Sequence, residues 1–263
     1  MSTGERLAAY GLALPEGHTL VSLEDRPHLR QPIDRLSASV WPEFMHHDEV
    51  VDANWDHLHE DFASMQCGLF DPAGKLVAVL RCAPLAWDGT DEGLPDSWDD
   101  QFLRTMAGLA PGARPADTLG ALLIAVRRDR RGSGYSGVMV SAMQAIARSR
   151  GHRSLIACVR PTGKEPYALI PIERYATWTR SDGLPVDPWI RLHVRLGGRV
   201  VRGAPRSMTI RGTVAEWREW TGLSMPESGE YLPAGAMAPV TIDVAEDSGV
   251  YHDPNVWVVH ELA

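Results

Sequence analysis

The stretch Arg127-Arg128-Asp129-Arg130-Arg131-Gly132-Ser133-Gly134-Tyr135-Ser136-Gly137 carries the clearest chemistry in the chain. A glycine-bearing turn that opens a helix presents successive backbone N–H groups. Together with the helix dipole they make an anion site. Gly132 and Gly134 allow close backbone approach. Arg127, Arg128, Arg130 and Arg131 concentrate positive charge there, in a chain of formal net charge −8. The turn lacks the GK[ST] of a nucleoside-triphosphate loop. Gly132, Gly134 and Gly137 match the letters of a dinucleotide fingerprint, but the next strand ends Ala157-Cys158-Val159-Arg160, without the acid that reading needs. A tight strand-to-helix turn with solvated arginines is the plain structural alternative.

Further residues could do chemistry. His193 lies on a helical stretch, and a histidine titrates near neutral pH and can donate or accept a proton. Arg160, Thr162 and Lys164 bring a hydroxyl and cations that could contact a thioester or a carboxylate. His46, His47, His57 and His59 stand among Asp48, Glu49, Asp56 and Glu60. His57 and His59 do not share a helix face, and there is no HExxH, so no metal site is expected. Nor is there a G-x-S-x-G for a serine hydrolase.

The elements around these residues are legible in outline. Residues before Phe62 read mostly as helix, including a helical period over Asp48–Asp61. Phe62–Phe70 and Lys75–Cys82 read as strands joined by the Asp71-Pro72-Ala73-Gly74 turn. Residues 84–117 read as a long loop with a short helix near Asp99–Met106. Thr118–Val126 is an apolar strand buried on both faces, followed by the glycine turn, a helix ending near Gly151, and the strand Ser154–Val159. After an irregular segment, Asp187-Pro188 opens a helix that Gly197-Gly198 ends. Arg199–Val201 and Ser207–Arg211 read as strands.

Strand, short connection, then R-G-x-G-x-[G/A/S] opening a helix closely resembles the acyl-CoA-binding motif of the GNAT acyltransferase superfamily. Here it stands as Val126 followed by Arg131-Gly132-Ser133-Gly134-Tyr135-Ser136, with Ser136 where the family usually has Gly or Ala. The resemblance covers residues 118–201 well, and the earlier part only in the order of elements. It implies an α/β fold with a mixed, mostly antiparallel sheet, splayed central strands and flanking helices. It implies that the amides from Arg131 to Ser136 hold the CoA pyrophosphate, and that the strand edge at Ile124 and Val126 pairs with pantetheine, whose amides can bond as a strand would. Residues 1–212 would form that domain, and residues 213–263 an extension packed on it.

In the family a helix commonly ends Y-x-x-x-G-F, and its tyrosine protonates the departing thiolate. His193-Val194-Arg195-Leu196-Gly197-Gly198 matches, with His193 in the tyrosine's place and Gly198 in that of the aromatic residue. The resemblance thus implies an N-acyltransferase that uses a CoA thioester, acetyl-CoA or malonyl-CoA, and acts on a small amine that the sequence does not identify. No base for the incoming amine can be pointed to. The chain is also similar to the GNAT-like decarboxylase domains of polyketide loading modules. That similarity implies Thr162 and His193 as catalytic residues, Trp55 and Arg206 beside a malonyl group, and delivery by CoA or by an acyl carrier protein. A non-catalytic CoA-binding sensor is the third reading.

Composition sets the outer limits. With 263 residues, 44% hydrophobic and 23% charged, the chain can bury a substantial core. Its pI near 5.7 argues against general nucleic-acid binding. No apolar run is long enough to span a bilayer, so no membrane partner is expected. Cys67, Cys82 and Cys158 are far apart and cannot all pair, which fits reduced thiols in the cytoplasm.

Overall fold

The computed structural model describes residues 1–262. Its helices are α1 (Thr3–Ala8), α2 (Arg30–Ala38), α3 (Glu49–Asn54), α4 (His57–Glu60), α5 (Trp98–Ala107), α6 (Tyr135–Ser149), α7 (Ile172–Tyr175), α8 (Pro188–Arg195) and α9 (Val214–Thr221). Its strands are β1 (Thr19–Ser22), β2 (Gln66–Phe70), β3 (Leu76–Leu85), β4 (Thr118–Val126), β5 (Ser154–Val159), β6 (Gly198–Gly212), β7 (Gly229–Tyr231), β8 (Val240–Asp243) and β9 (Ser248–Glu261). These strands form one sheet in the order β1-β2-β3-β4-β5-β9-β8-β7, with β6 also paired to β9. Only β4 and β5 run parallel; every other pair is antiparallel.

The β2–β3 hairpin follows its turn chemistry. Asp71 Oδ1 accepts from the amides of Ala73 and Lys75, and Gly74 takes a positive φ of 77°. Helices cover both faces of the sheet. Val79, Leu123 and Ala125 pack with Ile33 of α2, while Leu80 and Leu122 share the larger core with Met139, Met143 and Ile146 of α6.

Several elements differ from the sequence reading. The helix expected over Asp48–Asp61 is broken at Trp55-Asp56 into α3 and α4, and the early segment also contributes β1 to the sheet edge. The strands expected at Arg199–Val201 and Ser207–Arg211 are one long β6, whose register breaks between Ala204 and Met208. No strand was expected after Arg211, yet β9 lies inside the sheet. One edge of β9 carries β6; the other carries β8 along Ser248–Tyr251 and β5 along Val256–Glu261. Pro254, which cannot donate to a ladder, falls in the gap between β8 and β5, opposite the irregular part of β6. Residues 213–262 therefore supply strands to the same sheet as residues 1–212.

Candidate functional site

The glycine turn is an open cradle of amides. Gly132 and Gly134 both have φ of 81°, and Gly134 is the N-cap of α6. A Cβ at either would meet nothing within 4 Å, so backbone conformation and not crowding requires glycine here. The Ser133 amide bonds to the Arg130 carbonyl, while among the described residues the amides of Gly132, Gly134, Tyr135 and Ser136 donate to no protein group. Such orphan donors at a helix start suit an anion. Arg127 is paired with Asp129, whereas Arg130 and Arg131 make no ion pair among the described residues. Tyr135 is further held by its hydroxyl, 2.9 Å from Nε2 of His18.

Beside the turn, the central strands splay. β4 and β5 pair only from Thr118 with Ser154 to Ala121 with Ala157. At that point β4 bulges, since Arg81 faces Leu123 while Cys82 faces Ala121. The bulge is capped by α5: the Trp98 indole donates to the Leu122 carbonyl (3.0 Å) and the Gln101 amide to the Ala121 carbonyl (3.0 Å). A cavity of about 950 Å³ opens where the strands part. Ile124 and Val126 line it from β4, Arg131, Gly132 and Ser136 from the turn, and Thr162 and His193 from beyond β5. Ser133, Gly134 and Tyr135 belong to the same turn without lining the cavity.

α8 starts as its sequence dictates. Asp187 Oδ1 accepts from the amides of Trp189 and Ile190, and Pro188 takes the first helical position. Asp187 does more than cap. Its Oδ2 accepts from the Gly163 amide at 2.7 Å and from the Tyr175 hydroxyl at 3.2 Å. One carboxylate thus ties the turn that bears Thr162 to the helix that bears His193. Sequence reasoning found the cap but had no signal for its second oxygen.

His193 is 2% exposed. Its Nδ1 lies 3.0 Å from Nε2 of His260, and the Trp189 ring stands edge-on at 4.6 Å. Burial, and then the neighbouring His260, push its pKa down to about 3. The sequence expectation of a ring titrating near neutrality is corrected: His193 stays neutral, because desolvation penalises the imidazolium. Its Nε2 makes no hydrogen bond among the described residues.

The cations after β5 are committed elsewhere. Arg160 bonds both oxygens of buried Asp253 and lies over the Trp41 ring. Lys164 donates to the carbonyls of Tyr167 and Met237. Neither is the free cation that the sequence reading offered to a thioester, although Arg160 does line the cavity. Trp55 and Arg206 are not brought to the cavity wall. Trp55 stacks over the buried Arg81 guanidinium and against Phe102, and Arg206 is exposed while the following Met208 faces the cavity. Three histidines of the cluster have partners: His57 with Asp61, His59 with Asp34, and His47 stacked on Trp220. Among the described residues no set of three His, Cys, Asp or Glu side chains converges to hold a metal ion.

No protein-family model matches the chain. It is 30% identical over 289 residues to the arginine N-acetyltransferase avaD of Aspergillus versicolor, covering 98% of this chain and 99% of that protein. Among solved structures it is similar to the loading GNAT-like domain of CurA from Lyngbya majuscula, with TM-score 0.59, 14% identity, and coverage of 93% of this chain and 98% of that one. It is also similar to the GphF GNAT-like decarboxylase in complex with isobutyryl-CoA, with TM-score 0.56, 17% identity, and coverage of 90% and 97%. At these identities the structural matches speak to the fold.

Proposed function

The chain belongs to the GNAT superfamily and is an acyl-CoA-dependent N-acyltransferase; from that premise we propose that it moves an acetyl group from acetyl-CoA to a small cationic amine of the arginine class. One observation carries the reading: the glycine turn through Gly132 and Ser136, the edge of β4 and His193 all line one cavity. The acceptor class rests on the relative that acetylates arginine. Trp41, Trp98 and Trp189 on the walls, with Glu165, suit a guanidinium, which stacks on aromatic faces and pairs with carboxylates.

In this reading the amides of Gly132, Gly134, Tyr135 and Ser136 hold the pyrophosphate, and Ile124 and Val126 pair with the pantetheine arm. The acceptor's ammonium first gives a proton to solvent; the freed lone pair attacks the thioester carbonyl carbon, the C–N bond forms and the C–S bond breaks with its electrons going to sulfur. The proton shed by nitrogen ends on that sulfur by way of water. His193, neutral, donates a hydrogen bond from Nε2 to the sulfur as charge gathers there. Thr162 faces the acyl group across the cavity. With free, buried cysteines and a CoA thioester as donor, the cytoplasm is the proposed location.

Thr162 and His193 sharing one cavity also favours a second reading, decarboxylation of a malonyl thioester. There the C–C bond to the carboxylate breaks, carbon dioxide leaves, and the enolate carbon takes a proton from water. One experiment separates the two. Purified protein is incubated with acetyl-CoA plus arginine, lysine or a neutral amine, and separately with malonyl-CoA or malonyl carrier protein alone, with products followed by mass. Acetylarginine with intact malonyl thioesters supports the transferase. Acetyl thioester formed from malonyl thioester, with arginine untouched, supports the decarboxylase and refutes the first reading.

A further inference from the structure

We infer that Gln144 and His260 are positioning residues that fix the proton of His193 on Nε2, the nitrogen left to the cavity. The inference rests on the proposed role of His193 as donor to the thioester sulfur.

The Gln144 amide nitrogen on α6 lies 3.0 Å from the Leu196 carbonyl, which can only accept. That contact settles the amide orientation. The same nitrogen lies 3.1 Å from Nδ1 of His260, so its second hydrogen points there, and Nδ1 must accept. In a neutral imidazole the proton is then on Nε2 of His260. That Nε2 lies 3.0 Å from Nδ1 of His193 and donates to it. Nδ1 of His193 is thereby an acceptor, and its single proton sits on Nε2. Two neutral rings are required for this chain. Burial meets the requirement, holding His260 down to about 4 as well as His193 to about 3. Beyond burial, only His260 adds to the lowering of His193, while the Leu196 carbonyl opposes the lowering of His260.

The sequence had to make room for this. A Cβ on Gly198 would come within 2.8 Å of the His260 ring and 2.8 Å of the His193 carbonyl. Gly198 stands where the family motif carries an aromatic residue. Its register partner on β9 is His260 itself. The absent side chain at Gly198 leaves the space that the His260 ring occupies.

The test uses the full chain. Protein labelled with ¹⁵N-histidine reports tautomers directly, while kinetics are measured for His193→Ala, His260→Leu, His260→Gln and Gln144→Leu. Glutamine carries its amide nitrogen at about the reach of the Nε2 of histidine, so it can still donate to His193. The expected spectrum at neutral pH has the His193 proton on Nε2 in the wild type and mixed tautomers in His260→Leu and Gln144→Leu. The expected kcat falls about 10- to 100-fold in those two variants, with KM for acyl-CoA unchanged, and recovers in His260→Gln. A wild-type His193 proton on Nδ1 overturns the inference. So does full kcat in folded His260→Leu and Gln144→Leu when His193→Ala has lost it, a pattern that leaves the donor role intact. Full kcat in His193→Ala instead removes the donor role, and the positioning role with it.

Discussion

Asp48 and Asp99 place their carboxyl groups against one another, and each keeps one buried oxygen, Oδ2 of Asp48 and Oδ1 of Asp99, without any other partner. Their remaining oxygens serve the backbone: Asp48 Oδ1 caps α3 and Asp99 Oδ2 accepts from the Thr209 amide. Two such carboxyls can lie together only if they share a proton. Burial, followed by the charge of Asp48, holds Asp99 well above the usual carboxylate range.

That pair makes stability depend on pH. Asp99 binds its proton more tightly folded than unfolded, so its contribution is complete below the ordinary Asp pKa of about 4 and is lost as pH rises through the raised value. Thermal melts from pH 5 to 9 should show the wild type weakening toward alkaline pH. Asp99→Asn, whose amide donates permanently to Asp48, should flatten that part of the curve. Parallel curves would refute the shared proton.

The amide cradle predicts an order of damage. Gly134→Asp forces a side chain onto a φ of 81° and sets a negative charge beside the anion. CoA affinity by calorimetry should fall on the order of 100-fold or more. Arg131 is exposed, so Arg131→Ala should cost about tenfold or less. If Arg131→Ala proves the more damaging, the anion is held by charge and not by amides.

His193→Ala should lower kcat roughly 10²–10³-fold, the scale for one donor aimed at developing charge. Its affinity for CoA should not change. Because the His193 pKa lies near 3, the ring adds no inflection to kcat/KM between pH 5 and 8. Wild type and His193→Gln should therefore show the same profile shape. An acidic limb near pH 6.5 that vanishes in the variant would show that His193 titrates after all.

The cap from α5 holds the two carbonyls of the β4 bulge. Trp98→Phe keeps an aromatic side chain but strands the Leu122 carbonyl that the indole holds at 3.0 Å. Urea melts should show a loss of about 1–3 kcal/mol. An unchanged midpoint would mean that the bulge supports itself.

How much of this could be read from the chain depended on distance in sequence. The glycine turn, α6 and the Asp187-Pro188 start of α8 are local grammar, and the structure places them where the residues said. β9 was invisible for the opposite reason. Its pattern is broken by Asp253, Pro254, Asn255 and His260; three of these meet partners distant in sequence, Asp253 with Arg160, Asn255 with Ser207, and His260 with Gln144 and His193. Gly198 leaves a space, but only the register of β6 on β9 shows that His260 fills it. Trp55 and Arg206 were matched on order and spacing, which cannot say which wall of a cavity a residue reaches.

β9 is synthesised after every other strand, yet it occupies the middle of the sheet. While the ribosome is still making residues 248–261, β5 and β6 have no common neighbour, and β8 has none on that side. A nascent chain can fold the β1–β5 half locally, but the pairings of β9 wait until residues 248–261 have left the ribosome. The same strand delivers His260 to His193. Closure of the sheet and completion of the proton-fixing chain are therefore a single event, since both wait for the same strand.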